Sequence, residues 1–346
     1  MSSLRHHVFA AGFAATAVLR ADRPLAQGVG VILMFHHVRP WARKAFAPNR
    51  LLEITPEFLD RVLQVVDEMG FELVALDEIP ARLSRGGQPF AALTFDDGYR
   101  DIVEHALPVL RQRAAPFTVF VTTQFAEGTG RLWWLELEGA IAWLDRISVN
   151  VGNETIIAPS ATAEEKQAAF ERLYWALRRG PEERLRATIG LLTEVASVDG
   201  GALAKRLCLS WRELAALADE PNVAIGAHTL SHRMLAKWPT DVARREIAES
   251  KAVIEATLGR PVRHFAYPVG DPTSAGAREF ALARDAGFTM AVTTRPGHLF
   301  PAHAGHLHAL PRVPVNGLYQ SEEALRAMLS GVPFLAWNRG RRVNVG

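Results

Sequence analysis

From Gly28 onward, short apolar runs of β character alternate with segments whose apolar residues recur at helical spacing, and this alternation restricts the fold more than any other feature. Strands are expected at 29–35, 71–75, 90–95, 117–122, 223–227, 264–267, 290–293 and 308–313. Helices are expected at 56–69, 102–113, 241–258 and 278–286. Strands that alternate with helices pair in parallel and carry the helices outside the sheet. With 346 residues the chain exceeds one small domain, yet a single α/β barrel reaches ~250 residues or more with insertions.

Two of the strand-like runs end in residues able to do chemistry. Thr94-Phe95-Asp96-Asp97-Gly98 closes one, and His228-Thr229-Leu230-Ser231-His232 closes another. Alone, Asp-Asp-Gly is as good a turn as a site, and the two histidines could belong to a loop or a helical face. Together, at the ends of two strands, they point to a metal site. Two imidazoles and one carboxylate leave room on a divalent ion for water and substrate, and the second aspartate is free to act as a base. The expected chemistry is metal-assisted hydrolysis. The lone cysteine, Cys208, excludes a disulfide framework and a thiolate cluster within one chain. It precedes Ser210 and Glu213, a helix-capping pair, and reads as a buried structural thiol.

These motifs resemble those of the polysaccharide deacetylases, carbohydrate esterase family 4, also called the nodulation-deacetylase homology family. The resemblance spans residues 28–320 and implies a distorted, roughly seven-stranded (β/α) barrel. It implies Asp96 as base and Asp97, His228 and His232 as metal ligands. Phe265-Ala266-Tyr267-Pro268-Val269-Gly270 is similar to the family's third motif, which walls the groove and offers a backbone N–H, here that of Val269, to the oxyanion. Where that motif often carries an arginine this chain has Ala266. Arg312 is a candidate to orient the base instead, or is an ordinary strand-end cation; it is grouped with Tyr267, Pro268 and Val269 along the substrate groove. The family acid is usually a late histidine, here His308. Leu33-Met34-Phe35-His36-His37-Val38 is similar to the opening motif of the biofilm-polysaccharide branch, which makes His36 the preferred acid. His37 is expected to make a strand-end hydrogen bond.

Residues 128–205 interrupt the alternation as a helical insertion, either a lid over the groove or a peripheral hairpin that stabilises the barrel. Its Trp133 and Trp134 are placed with the substrate-binding residues as platforms for sugar rings, or else anchor the insertion's own core. Helices are expected at 163–179 and 181–195, with a polar turn near Gly152-Asn153-Glu154. Residues 1–27 place Arg5-His6-His7 before an apolar stretch without a good cleavage site, and read as an amphipathic helical segment that packs on the domain or touches a membrane surface. A cytoplasmic or membrane-peripheral location is therefore expected in preference to secretion. Residues 321–346 are expected as a C-terminal tail.

The net charge of +2, from 39 basic and 37 acidic residues, argues against nucleic-acid binding and suits a neutral glycan. The expected activity is removal of acetyl groups from N-acetylated amino sugars in an oligo- or polysaccharide, a chitooligosaccharide or a surface glycan. The expected cofactor is a divalent ion, Zn2+ first and Co2+, Ni2+ or Fe2+ as alternatives. An O-acetyl glycan esterase and a non-catalytic glycan-binding protein on the same fold are the competing readings.

Overall fold

The computed structural model describes residues 26–345. The N-terminal segment thus lies outside the described residues but for its last two. Seven parallel strands close into a barrel: β1 (Gly30–Phe35), β2 (Phe90–Phe95), β3 (Phe117–Val121), β4 (Val223–Ala227), β5 (His264–Ala266), β6 (Met290–Pro296) and β7 (Leu310–Pro314). Each strand pairs with the next in sequence, and β1 closes the ring by pairing β2 from Gly30–Phe90 to Phe35–Phe95 and β7 at Leu33–Val313. The barrel is distorted where β4 and β5 share the single register pair Ala227–Phe265, and by an irregularity between Val292 and Pro296. The run expected as a strand at 71–75 shortens to Glu72–Leu73, which pairs with the first residues of β2.

Alternation along each strand sorts the side chains into two cores. Ile32, Phe90, Ala92, Phe120, Met290, Val292 and Leu310 form one buried cluster, the barrel interior. Val31, Leu33, Phe35, Leu93, Val119 and Phe265 belong to the other, against the helices. The interior is narrow: a Cβ on Gly30 would lie 2.4 Å from the Phe90 ring. Outside, the helix Pro56–Glu68 is started by Thr55, whose side chain accepts from the Phe58 N–H, and buries Phe58, Leu59, Val62, Leu63, Val65 and Val66. Ser210 and Glu213 make the expected reciprocal cap of the helix Trp211–Ala218, and Cys208 is buried.

The insertion is a subassembly of four helices, Trp133–Trp143, Ala163–Arg179, Glu182–Val195 and Gly200–Leu207, plus an antiparallel hairpin, Arg146–Val151 with Glu154–Pro159. The polar turn read at Gly152-Asn153 is the tip of that hairpin. At the other end of the chain, the residues read as a tail form two helices, Glu322–Ser330 and Val332–Trp337. Among the described residues no helix is long and apolar enough to cross a membrane.

Candidate active site

The carboxyl ends of the strands gather one set of buried polar groups. His36 follows β1, Asp96 and Asp97 follow β2, His228 follows β4, and Arg312 rises from within β7. Asp96 continues the inward parity of Phe90, Ala92 and Thr94, and so points into the barrel mouth. Asp97 would face away if the strand stayed extended. Instead the backbone turns into the left-handed region at Asp97, φ 70°, followed by Gly98 at 66°, so both carboxylates serve the same mouth. Thr229, His232 and Val269 also have positive φ, at 67°, 56° and 61°. Such conformations cost about 1–3 kcal/mol each for residues of this kind and cluster where a function requires them.

Asp97, His228 and His232 converge. Asp97 Oδ1 lies 3.6 Å from His228 Nε2 and 3.3 Å from His232 Nε2. Three ligands about 2.0–2.1 Å from a tetrahedral ion stand roughly 3.3 Å apart, so these spacings fit a small divalent metal. Asp97 Oδ1 is buried and has no hydrogen-bond partner within the protein, as suits an oxygen meant for a metal. His228 Nδ1–H donates to the Ala266 carbonyl at 2.7 Å, which leaves the Nε2 lone pair for a metal. Burial pushes His228 down to about 4, partly opposed by Asp96, so the ring is neutral at neutral pH. Burial would raise the Asp97 carboxyl, but His232, His36 and His228 overcome it and hold the group well below its usual range.

Asp96 is gripped by Arg312 in a bidentate pair, NH1 to Oδ1 and NH2 to Oδ2, both 2.7 Å. Arg312 is fully buried, and its Nε donates to the Thr293 carbonyl at 2.9 Å. Arg312 therefore does not face a substrate; its guanidinium is spent on holding Asp96. Burial drives the Asp96 carboxyl upward, but Arg312, with His228 and His36, outweighs it and keeps it ionised. His36 Nε2 lies 4.0 Å from Asp96 Oδ2, its side chain 18% exposed, and burial holds the ring below the ordinary imidazole value against the pull of Asp96 and Asp97.

Few of the other expected site residues present a side chain to the mouth. His308 precedes β7 at the opposite, amino end of the barrel, where its Nε2–H donates to the Phe288 carbonyl at 2.8 Å, so it has no access to the mouth. Tyr267 follows the inward Ala266 and so points outward. It is fully buried between Phe265 and Phe280 with its hydroxyl on the His308 carbonyl, and offers nothing to a substrate. Pro268 is buried, and Val269 is half-buried in a tight turn whose carbonyl accepts from Thr294 Oγ1 at 2.6 Å. Trp133 and Trp134, 3% and 6% exposed, have no free ring face for a sugar. Trp133 packs on Tyr174, and Trp134 lies 4.7 Å, ring to ring, from His232.

Behind the site His37 makes the hydrogen bond expected of it, while its partners Asp101 and Tyr99 were not foreseen. His37 Nδ1–H donates to Asp101 Oδ2 at 2.6 Å, and its ring stacks 3.6 Å from Tyr99, below the mouth. Asp101, four residues after Asp97, also accepts from the Val38 N–H at 3.3 Å. The Asp-x-x-x-Asp spacing was the available signal.

A closed parallel barrel with two carboxylates, two converging imidazoles and a buried arginine at its carboxyl mouth defines the class of (β/α)-barrel hydrolases. The chain belongs to the polysaccharide deacetylase family, whose profile matches residues 84–291. Solved structures that share the fold include three deacetylases or relatives of them. The Streptococcus pyogenes deacetylase PplD, in complex with acetate, is 19% identical with a TM-score of 0.56 over 88% of this chain and 99% of that one. IcaB from Ammonifex degensii is 19% identical, TM-score 0.54, over 89% and 97%. A de-N-acetylase from Aggregatibacter actinomycetemcomitans is 11% identical, TM-score 0.53, over 86% and 99%. At these identities the likeness is one of fold. No curated protein sequence matches the chain.

Proposed function

We propose that this chain removes acetyl groups from N-acetylated amino sugars of an oligo- or polysaccharide, with a divalent metal, zinc first among the candidates, held by Asp97, His228 and His232. The observation that carries this reading is the unpartnered Asp97 Oδ1 facing two Nε2 atoms within 3.6 Å. When bound, such an ion supplies Lewis acidity toward the acetyl carbonyl and acidifies water. Asp96, kept ionised and aimed by Arg312, accepts the proton of the attacking water. The Val269 N–H, on the left-handed turn after β5, is assigned to the developing oxyanion.

Cleavage of an amide, unlike that of an ester, needs a proton on the leaving nitrogen. His36 is the group placed to supply it, because a shift of about 1 Å brings its Nε2 into hydrogen-bond range of Asp96 and of the proton held there. That placement favours N- over O-deacetylation. The test is acetate release from matched N-acetylated and O-acetylated glycans, chitin oligomers and peptidoglycan among them, by zinc-loaded protein. Release from the N-acetyl series is expected. Release from O-acetyl substrates alone would replace the reading with an esterase, and glycan binding without release would replace it with a binding protein.

A further inference from the structure

His228 and His232 reach the same point by unlike routes. His228 ends a strand, and its ring is pinned by the Nδ1–H bond to Ala266. His232 sits four residues out on a loop whose Thr229 and His232 both occupy the left-handed region, and its buried Nδ1 has no hydrogen-bond partner. Nothing bonded to the ring fixes where Nε2 points, so the backbone and the packing around it must do so.

That backbone is held from the insertion. Arg186, on the helix Glu182–Val195, donates from one NH2 to the Ser231 carbonyl at 3.0 Å and the His232 carbonyl at 3.2 Å. Its Nε donates to Glu182 Oε1 at 2.8 Å. Glu182 is 1% exposed, and its other oxygen accepts from the Met234 N–H and from Trp238 Nε1, both at 2.7 Å. The pair thus grips the chain on both sides of His232. Trp134, on another insertion helix, closes over the ring. The barrel holds the other part of this loop: the Thr123 and Gln124 N–H groups donate to the Thr229 and Leu230 carbonyls at 3.3 and 2.9 Å, and Thr123 Oγ1 donates to the Leu230 carbonyl at 3.1 Å. The Glu246 carboxylate accepts from the Ser231 N–H and hydroxyl at 2.9 and 2.7 Å, and the Thr229 hydroxyl accepts from the His232 N–H at 2.9 Å.

We propose that Glu182 and Arg186 are positioning residues for His232 and set the affinity of the site for its metal, which makes the insertion part of the metal site and not a peripheral brace. This rests on the metal reading above. The residues around metal ligands are typically worth 10–100-fold in affinity.

The test is zinc affinity by chelator competition and the visible spectrum of the cobalt form, for wild type, Arg186→Met, Arg186→Lys, Glu182→Gln and the ligand variant His228→Ala, with thermal unfolding of each metal-free protein. Arg186 is partly exposed, so its replacement should leave the fold standing. We expect zinc binding about 10–100-fold weaker in Arg186→Met, a changed cobalt spectrum, partial rescue by lysine, and cooperative unfolding of the metal-free variants near the wild-type temperature. Wild-type affinity and spectrum in Arg186→Met would overturn the proposal while leaving the metal reading intact. A collapse of the metal-free fold without rescue by lysine would make the pair merely structural and overturn it as well. Failure of wild type itself to bind zinc would overturn both.

Discussion

The two ends of the barrel carry the same kinds of side chain and use them differently. At the amino end, His264 Nε2 lies 3.0 Å from an Asp77 oxygen whose side chain is 47% exposed, and His308 donates to a backbone carbonyl. At the carboxyl end, two carboxylates and two imidazoles are buried together, the backbone is forced into left-handed turns, and one carboxylate oxygen is left without a hydrogen bond. Residue type does not separate these ends. Nor does a lone unsatisfied atom, since His264 Nε2 at the amino end also lacks a hydrogen bond; convergence and backbone strain do, because a fold keeps such costs only where something else returns them.

This contrast can be broken most sharply with the two rival acids. His36→Gln is expected to lower kcat on the order of 10²–10⁴-fold, the usual worth of a proton-transfer group, whereas His308→Gln should stay close to wild type; equal losses in steady-state kinetics would erase the distinction. Next in size, Arg312→Met leaves the Asp96 carboxylate buried and unpaired, and should cost about 3–5 kcal/mol in denaturant unfolding. Adding Asp96→Asn should recover part of that loss. The counterpart at the amino end, Asp77→Asn, should cost no more than about 1 kcal/mol, because Asp77 is itself half open to water.

A third prediction concerns pH. His298, near the start of β1, accepts the Gly28 N–H at Nδ1 and donates from Nε2 to the Met328 carbonyl, and burial pushes it down to about 4. The unfolded chain protonates this ring near 6.5 and the folded chain does not, so stability is lost as pH falls from about 6.5 to 4, by roughly 3 kcal/mol at most. A His298→Gln variant should lose less stability than wild type between pH 7 and 4.5, and an equal loss would remove His298 from the acid sensitivity of the fold.

Much of the barrel is legible because its strands are buried on both faces and bounded by turns: residues 90–95 and 223–227 are strands to the residue. Asp96, Asp97, His228 and His232 are legible because each motif ends such a run. What misleads is the third motif, where a family pattern suggests a groove wall but strand alternation turns Tyr267 outward behind Ala266. His308 misleads for another reason: it lies at the start of its strand, and only the start-to-end direction tells which mouth it serves. The hairpin at 146–159 was signalled by alternating Ile147, Val149, Ile156 and Ala158 around Gly152-Asn153, but too few residues alternate to stand out. Glu182 and Arg186 are not legible at all, since a Glu–Arg pair four apart on a helix looks like any solvated face until tertiary structure lays a ligand loop across it.

In the proposed function Asp97, His228 and His232 hold a metal beside Asp96 as an independent base. The direct test is zinc stoichiometry and acetate release from N-acetylated chitin oligomers, measured together on wild type, Asp96→Asn, Asp97→Ala and His228→Ala. Tight zinc is expected in wild type and Asp96→Asn, with loss of that zinc in the other two and acetate release by wild type alone. Tight zinc retained by Asp97→Ala and His228→Ala, or undiminished turnover by Asp96→Asn, would contradict the proposed function.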